Sequence, residues 1–203
     1  MIKNLIFDVG EVLLEYRWTD MLMDYGLSHA EAKRIGEELF HKPIWTAGLD
    51  GGLLTIEKAI EKYAVLHPDD IDVISWFLRH GEFMMVRRPE VWEKLALLKK
   101  KGYRIYILSN YSEELFSKHT KDAGFLNILD GGIISYQIHL LKPNARIYKA
   151  LLEKYSLKAE ECMFFDDKEE NVNGAGRVGM KAVQVTSREM LNIMLDEMLE
   201  NML

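Results

Sequence analysis

A single cysteine, Cys162, stands among 203 residues, so the chain can form no internal disulfide. Its place between Glu161 and an apolar run reads as a buried strand thiol. Long hydrophobic runs are also missing, since no stretch approaches the roughly 18 apolar residues of a membrane-spanning helix. Acidic Asp8 and Glu11 interrupt the apolar stretch at the N-terminus, which therefore does not read as a signal peptide, and a reducing cytoplasm is the expected compartment. Basic residues are in deficit, 26 against 32 acidic, for a formal net charge of −6. With no long basic stripe, and with Arg87-Arg88 and Lys99-Lys100-Lys101 read as solvated helix ends, a nucleic-acid partner is disfavoured. Internal repeats and low-complexity linkers are absent too.

What is present is the composition of a soluble globular protein, 48% hydrophobic and 29% charged. The length suits a core of about 120 to 150 residues carrying a small insert. Two textures alternate along the chain. Ile2 to Phe7 reads as a strand, after which Trp18 to Leu39, Leu53 to Leu66 and Ile71 to Leu78 carry helical spacing and no strand-like run intervenes. From Pro89 the pattern becomes repeated β-α. A helix to Lys101 is stopped by Gly102, and strands are expected at Arg104 to Leu108, around Ile133-Ile134, at Cys162 to Phe165 and at Ala182 to Val185. Helices are expected from Ser112 to about Ala123, from Asn144 to Tyr155 and from about Glu169. This predicts an α/β fold, a Rossmann-like core with a mostly parallel sheet, built from 1–14 and 86–203, plus a small all-helical cap inserted at 15–85. The apolar positions from Arg188 to Leu203, Met202 included, predict a final amphipathic helix docked on the core.

Four punctuations follow apolar runs or lie near turns: Asp8, Ser109-Asn110, Lys142-Pro143 and Asp166-Asp167. In an open α/β sheet the carboxyl ends of the strands share one edge, where sites are built. Asp8 is a nucleophile, a metal ligand or a turn former on its own merits. With Asp166 and Asp167 it makes an oxygen-rich set of the kind Mg²⁺ prefers, and Lys142 offsets the charge. Ser109 alternatively caps the next helix, and Lys142 is alternatively a surface charge.

These segments, Ile6-Phe7-Asp8-Val9-Gly10-Glu11-Val12-Leu13, Ile107-Leu108-Ser109-Asn110, Lys142-Pro143-Asn144-Ala145-Arg146-Ile147-Tyr148 and Phe164-Phe165-Asp166-Asp167, occur in the order found in the haloacid dehalogenase-like hydrolases. The chain resembles their phosphatase branch with a small helical cap, from Met1 to about Thr186. The resemblance implies Asp8 as the nucleophile that forms an aspartyl-phosphate, Ser109 and Asn110 on the phosphoryl group, and Lys142 as charge clamp. It further implies Mg²⁺ held by Asp8, the Gly10 carbonyl and Asp166, with Asp167 as a second ligand or organiser. The implied partner is a small phosphorylated metabolite. Gly10 departs from the usual pattern, in which a second Asp two residues after the nucleophile serves as general acid and base. A Gly there also occurs in members resembling the sugar-1-phosphate phosphatases, whose anomeric leaving oxygen needs less protonation, so a hexose-1-phosphate is the expected substrate. Glu11 is a candidate replacement acid. A 2-haloacid dehalogenase and a catalytically weak phosphate-binding or regulatory protein are the competing readings.

In the cap, Trp45 either stacks on a sugar face or fills the cap core, and Asp50 reads as a turn or helix-capping residue. Trp76, Phe77 and Trp92 read as structural, and His41, His67 and His119 as ordinary. Gly174-Ala175-Gly176-Arg177-Val178-Gly179 spells a dinucleotide fingerprint. It begins nine residues past Phe165 and not directly after a strand, so close helix packing and helix termination are the expectation.

Overall fold

The computed structural model describes residues 1–200. In chain order its first half runs β1 (Asn4–Phe7), β2 (Leu14–Tyr16), α1 (Trp18–Asp24), α2 (His29–Phe40), α3 (Ile56–Leu66), α4 (Ile71–Arg79), β3 (Met85–Arg87) and α5 (Pro89–Lys100). The second half runs β4 (Arg104–Ser109), α6 (Glu113–Thr120), β5 (Gly131–Ile134), α7 (Ser135–Ile138), α8 (Ala145–Lys154), β6 (Cys162–Asp166), α9 (Glu169–Arg177), β7 (Lys181–Gln184) and α10 (Arg188–Glu200).

Five strands form one parallel sheet in the order β5-β4-β1-β6-β7. The α/β fold with a helical insertion is the one expected. Side chains alternate across each strand, so Leu5 and Phe7 enter one apolar layer and Ile6 the other. The first layer is shared with Leu95 and Leu98 of α5 and Leu191 and Leu195 of α10, and the second with Ile147, Tyr148 and Leu151 of α8. The chain leaves central β1 for β4 on one side and returns through β6 on the other. That reversal opens a crevice at the end of β1, beside Asp8.

Three details differ from the sequence expectation. The Trp18 to Leu39 stretch is two helices, broken at Gly26 (φ +116°) and restarted by a capping box in which Ser28 and Glu31 satisfy each other's backbone N–H. Short strands β2 and β3 pair antiparallel, Glu15 opposite Val86, and make a ribbon through which the chain enters and leaves the helical insertion. Three-residue strands carry too little periodicity to read. Arg88, expected to be solvated, is 4% exposed. Its guanidinium donates to the carbonyls of Glu11 (2.7 Å) and Val12 (3.2 Å), and Trp92 Nε1 donates to Leu13 O at 2.7 Å. Two side chains from the start of α5 thus peg the turn that follows Asp8, an arrangement set by contacts more than 70 residues apart.

The glycine fingerprint lies inside and just after α9. A Cβ at Gly174 would meet the Tyr148 hydroxyl at 2.8 Å, and Gly179 turns the chain out with φ +90°, so both expected uses hold. Cys162 is buried, and burial pushes its thiol up. Helix α10 docks on α5, with Lys94 Nζ 2.7 Å from Asp196; positions 201–203, Met202 among them, lie outside the described residues. No helix among the described residues is long and apolar enough to cross a membrane.

Trp92→Phe keeps the ring packing on Phe125 but leaves the Leu13 carbonyl buried without its donor. The expected loss is about 1–3 kcal/mol in equilibrium chemical denaturation. A loss below about 0.5 kcal/mol would show that the peg carries no stability.

Candidate active site

The end of β1 delivers Asp8 with its carboxylate held from three sides. Oδ1 accepts from Val9 N–H (2.7 Å), from Ser109 Oγ (2.6 Å) and from Lys142 Nζ (2.9 Å). Ser109 ends β4, two residues past Ile107, the sheet partner of Phe7, and is 1% exposed. The following helix is capped by Ser112, so Ser109 is free of that duty. Lys142 is no surface charge. Its side chain is fully buried, bridging Asp8 to Asp166 Oδ2 at 2.6 Å. Asn110 fixes the lysine's backbone from both directions, its Nδ2 donating to Lys142 O (3.0 Å) and its Oδ1 accepting from Lys142 N–H (2.8 Å).

Asp166 ends β6 and is wholly buried. Its Oδ1 accepts from Lys168 N–H and Asn171 Nδ2, each at 2.9 Å, which orients the carboxylate for Lys142 and for the crevice. Ligand oxygens of Asp8, Asp166 and Asp167 lie within 4.8 Å of one another. Three carboxylates against one buried ammonium leave excess negative charge. Burial, reinforced by Asp166 and Asp167 and opposed by Lys142, pushes Asp8 up to about 7. Burial and then Asp166 push Asp167 up to about 6. Burial alone would lower Lys142, but Asp166 and Asp8 leave it raised. An all-oxygen donor set with unneutralised charge fits a hard divalent cation such as Mg²⁺, held by these carboxylates and, if the resemblance is followed, the Gly10 carbonyl.

Asp8, Gly10, Asn110, Lys142 and Asp167 open onto a cavity of about 430 Å³, within the range of small-molecule sites. The helical insertion supplies the opposite wall. Trp45 is 7% exposed, packs edge-on to Phe40 (4.6 Å between centroids) and still lines the cavity, so it fills the cap core and faces the site together. The wide helical turn Ile44–Asp50 carries Asp50 to the cavity wall. The Asp50 and Gly51 carbonyls accept from Ser135 Oγ and His139 Nδ1, tying the turn to the two ends of α7. Burial pushes Asp50 up to about 7, against Lys168, with Asp8 adding. The sequence reading of Asp50 as a turn former missed this placement. It missed Tyr16, Tyr111 and Lys168 as well, which line the same cavity but belong to no strand-end pattern. Glu11, the candidate replacement acid, is engaged elsewhere: its Oε1 accepts from Tyr16 N–H at 3.1 Å and its Oε2 lies 3.9 Å from Arg88 Nη2.

A family model for haloacid dehalogenase-like hydrolases matches residues 2–179. Among curated proteins, the chain is 28% identical over 97 residues to (S)-2-haloacid dehalogenase 4A of Burkholderia cepacia, covering 48% of this chain and 42% of that one. It is 30% identical over 100 residues to glyceraldehyde 3-phosphate phosphatase of Methanothermobacter thermautotrophicus, covering 49% and 44%. The match thus spans less than half the length of either relative. Among solved structures, it resembles a HAD-family enzyme of Bacteroides thetaiotaomicron in complex with magnesium and inorganic phosphate (TM-score 0.69, 22% identity, covering 91% of this chain and 94% of that one). At that identity the likeness is one of fold.

The raised carboxylates give the metal-free protein a pH signature. A carboxylate held above its ordinary 3.8 binds its proton more tightly folded than unfolded. Its contribution favours folding fully below about pH 4 and is lost as pH rises through about 6 to 7. The melting temperature in chelator is therefore expected to fall from pH 5 to pH 8, and Mg²⁺ to raise it more at pH 8 than at pH 5. A Mg²⁺ increment independent of pH would contradict this charge balance.

Proposed function

Because the chain belongs to the haloacid dehalogenase-like hydrolases, we propose that it is a Mg²⁺-dependent phosphomonoesterase working through a phosphorylated Asp8. The observation that carries this reading is the convergence of Asp8, Ser109, Lys142, Asp166 and Asp167 at one crevice, with Lys142 bonded to two of the carboxylates. The magnesium- and phosphate-bound fold relative supports it. Bound Mg²⁺ supplies positive charge against the phosphoryl oxygens. Asp8 attacks phosphorus, and the bond to the substrate's ester oxygen breaks with its electron pair on that oxygen. Lys142 and Ser109, whose donors meet on Asp8 Oδ1, turn to the equatorial phosphoryl oxygens as they arrive. Asn110 keeps Lys142 in place, and water then releases phosphate from Asp8.

For the substrate we infer a small sugar phosphate such as a hexose-1-phosphate. The cavity volume admits a monosaccharide, and Trp45, Phe40 and Trp18 give the cavity it shares with Asp8 an aromatic lining. Gly10 offers no acid to the leaving oxygen, which favours an anomeric leaving group. A 2-haloacid dehalogenase has a curated relative in its favour, but the three carboxylates gathered within 4.8 Å favour cation-assisted phosphoryl chemistry over halide displacement.

The test is phosphate release from a panel of phosphate esters including hexose-1-phosphates, with and without Mg²⁺, beside halide release from 2-haloacids. Mg²⁺-dependent phosphate release is expected, with rate constants for phosphoenzyme formation rising as the leaving group becomes more acidic. Asp8→Asn should remove turnover while leaving the melting temperature within a few degrees or higher. Retention of more than about a tenth of the rate would take Asp8 out of the nucleophile's role. Binding of phosphate without turnover would leave a regulatory protein, and halide release a dehalogenase.

A further inference from the structure

The space a side chain at position 10 would need is already occupied. A Cβ on Gly10 would stand 2.6 Å from the Tyr16 hydroxyl and 2.8 Å from its Cε2. Tyr16 ends β2, at the ribbon, and lines the cavity with Asp8. Behind it runs a buried chain of polar groups. The Tyr16 ring meets Tyr111 edge-on, with ring centroids 6.3 Å apart. Tyr111 Oη lies 2.6 Å from His119 Nδ1, and His119 Nε2 lies 2.7 Å from the Gly81 carbonyl oxygen. Tyr111 and His119 are 4% and 1% exposed.

The direction of this chain follows from its inner end. A carbonyl only accepts, so Nε2 of His119 carries the hydrogen. Burial lowers the His119 pKa and keeps the imidazole neutral, which leaves Nδ1 as an acceptor. Tyr111 must therefore donate to Nδ1, so towards Tyr16 its hydroxyl offers only an acceptor. With the Tyr16 hydrogen turned to that acceptor, its oxygen lone pairs are what it offers the cavity.

Resting on the phosphatase reading, we propose that Tyr16 accepts a hydrogen bond from the water that hydrolyses phosphorylated Asp8, with Tyr111 and His119 as positioning residues. The water oxygen bonds to phosphorus, and the bond from phosphorus to the Asp8 oxygen breaks with its electron pair returning to the carboxylate. Both water hydrogens leave with phosphate, one on the new P–OH, still directed at Tyr16, and one on a second phosphoryl oxygen. Tyr16 takes up no proton and orients the attack. Because it presents an acceptor, it gives no help to a departing alkoxide in the first step, so assistance falls on the second half-reaction alone.

Rapid-quench kinetics with an aryl phosphate and Mg²⁺ separate the two halves. In Tyr16→Phe the first-turnover release of the aryl alcohol should stay within about twofold of wild type, while steady-state turnover falls about 10²-fold and phosphoenzyme accumulates. Tyr111→Phe, which unties Tyr16 from His119, should slow the same step by about tenfold. Loss of folding alone would lower both phases together, and melting temperatures identify it. A Tyr16→Phe enzyme with unchanged steady state, or with both phases slowed equally at an unchanged melting temperature, overturns the inference and leaves the phosphatase reading standing. A wild-type protein that releases no phosphate from any ester overturns both.

Discussion

The buried ammonium of Lys142 is the contact on which the site depends. It has no exposed surface and touches one oxygen each of Asp8, which directly follows β1, and Asp166, which ends β6. Without it, β1 and β6 would present two carboxylates to each other in a water-poor crevice. Removing the one cation of such a buried cluster typically costs about 3–5 kcal/mol, because the carboxylates left behind are uncompensated. The lysine's own position is in turn set by Asn110, whose amide closes two hydrogen bonds on the Lys142 backbone from the loop after β4. Three strand ends are therefore locked together by one charge and one amide. Lys142 supplies a single positive charge against three negative ones, and that shortfall makes the crevice attractive to a divalent cation.

The second constraint is the turn after Asp8. Arg88 and Trp92 hold its carbonyls from α5, and Glu11 adopts φ +55° within it and turns back to the Tyr16 backbone. This geometry leaves Gly10 against the Tyr16 ring, so its lack of a side chain is matched by a neighbour that fills the space. The helical insertion hangs on the two-stranded ribbon immediately beyond, and its turn at Ile44–Asp50 is tied to the core through Ser135 and His139. Chemistry at the sheet edge and the aromatic wall above it are thus held in one frame by backbone contacts.

The parallel core and its edge were legible because both follow local rules. Apolar runs of three or four residues alternate with helical periods and stop at Asp8, Ser109 and Asp166, which places these three residues on one rim from the sequence pattern alone. Lys142 and Asn110 came with the same pattern, although the amide bracket did not. Arg88 was misread because nothing near it in sequence shows that its partners are the carbonyls of Glu11 and Val12. Asp50 looked like a turn residue and is one, yet the turn delivers it to the cavity. His119 looked ordinary and holds a tyrosine in place from behind. Each of these depends on contacts between segments far apart in sequence, which neither periodicity nor spacing encodes.

The central claim is that the oxygen nucleophile of this crevice is Asp8 and that its target is phosphorus. A single turnover of an aryl phosphate in ¹⁸O-labelled water with excess enzyme tests it directly, through mass spectrometry of the released phosphate and of the peptide carrying Asp8. Attack of water at phosphorus places the label in phosphate and leaves Asp8 unlabelled, and acid quench before completion captures a phosphoryl group on that peptide. Label in the Asp8 carboxylate, or a phosphoryl group on any other residue, would contradict the account.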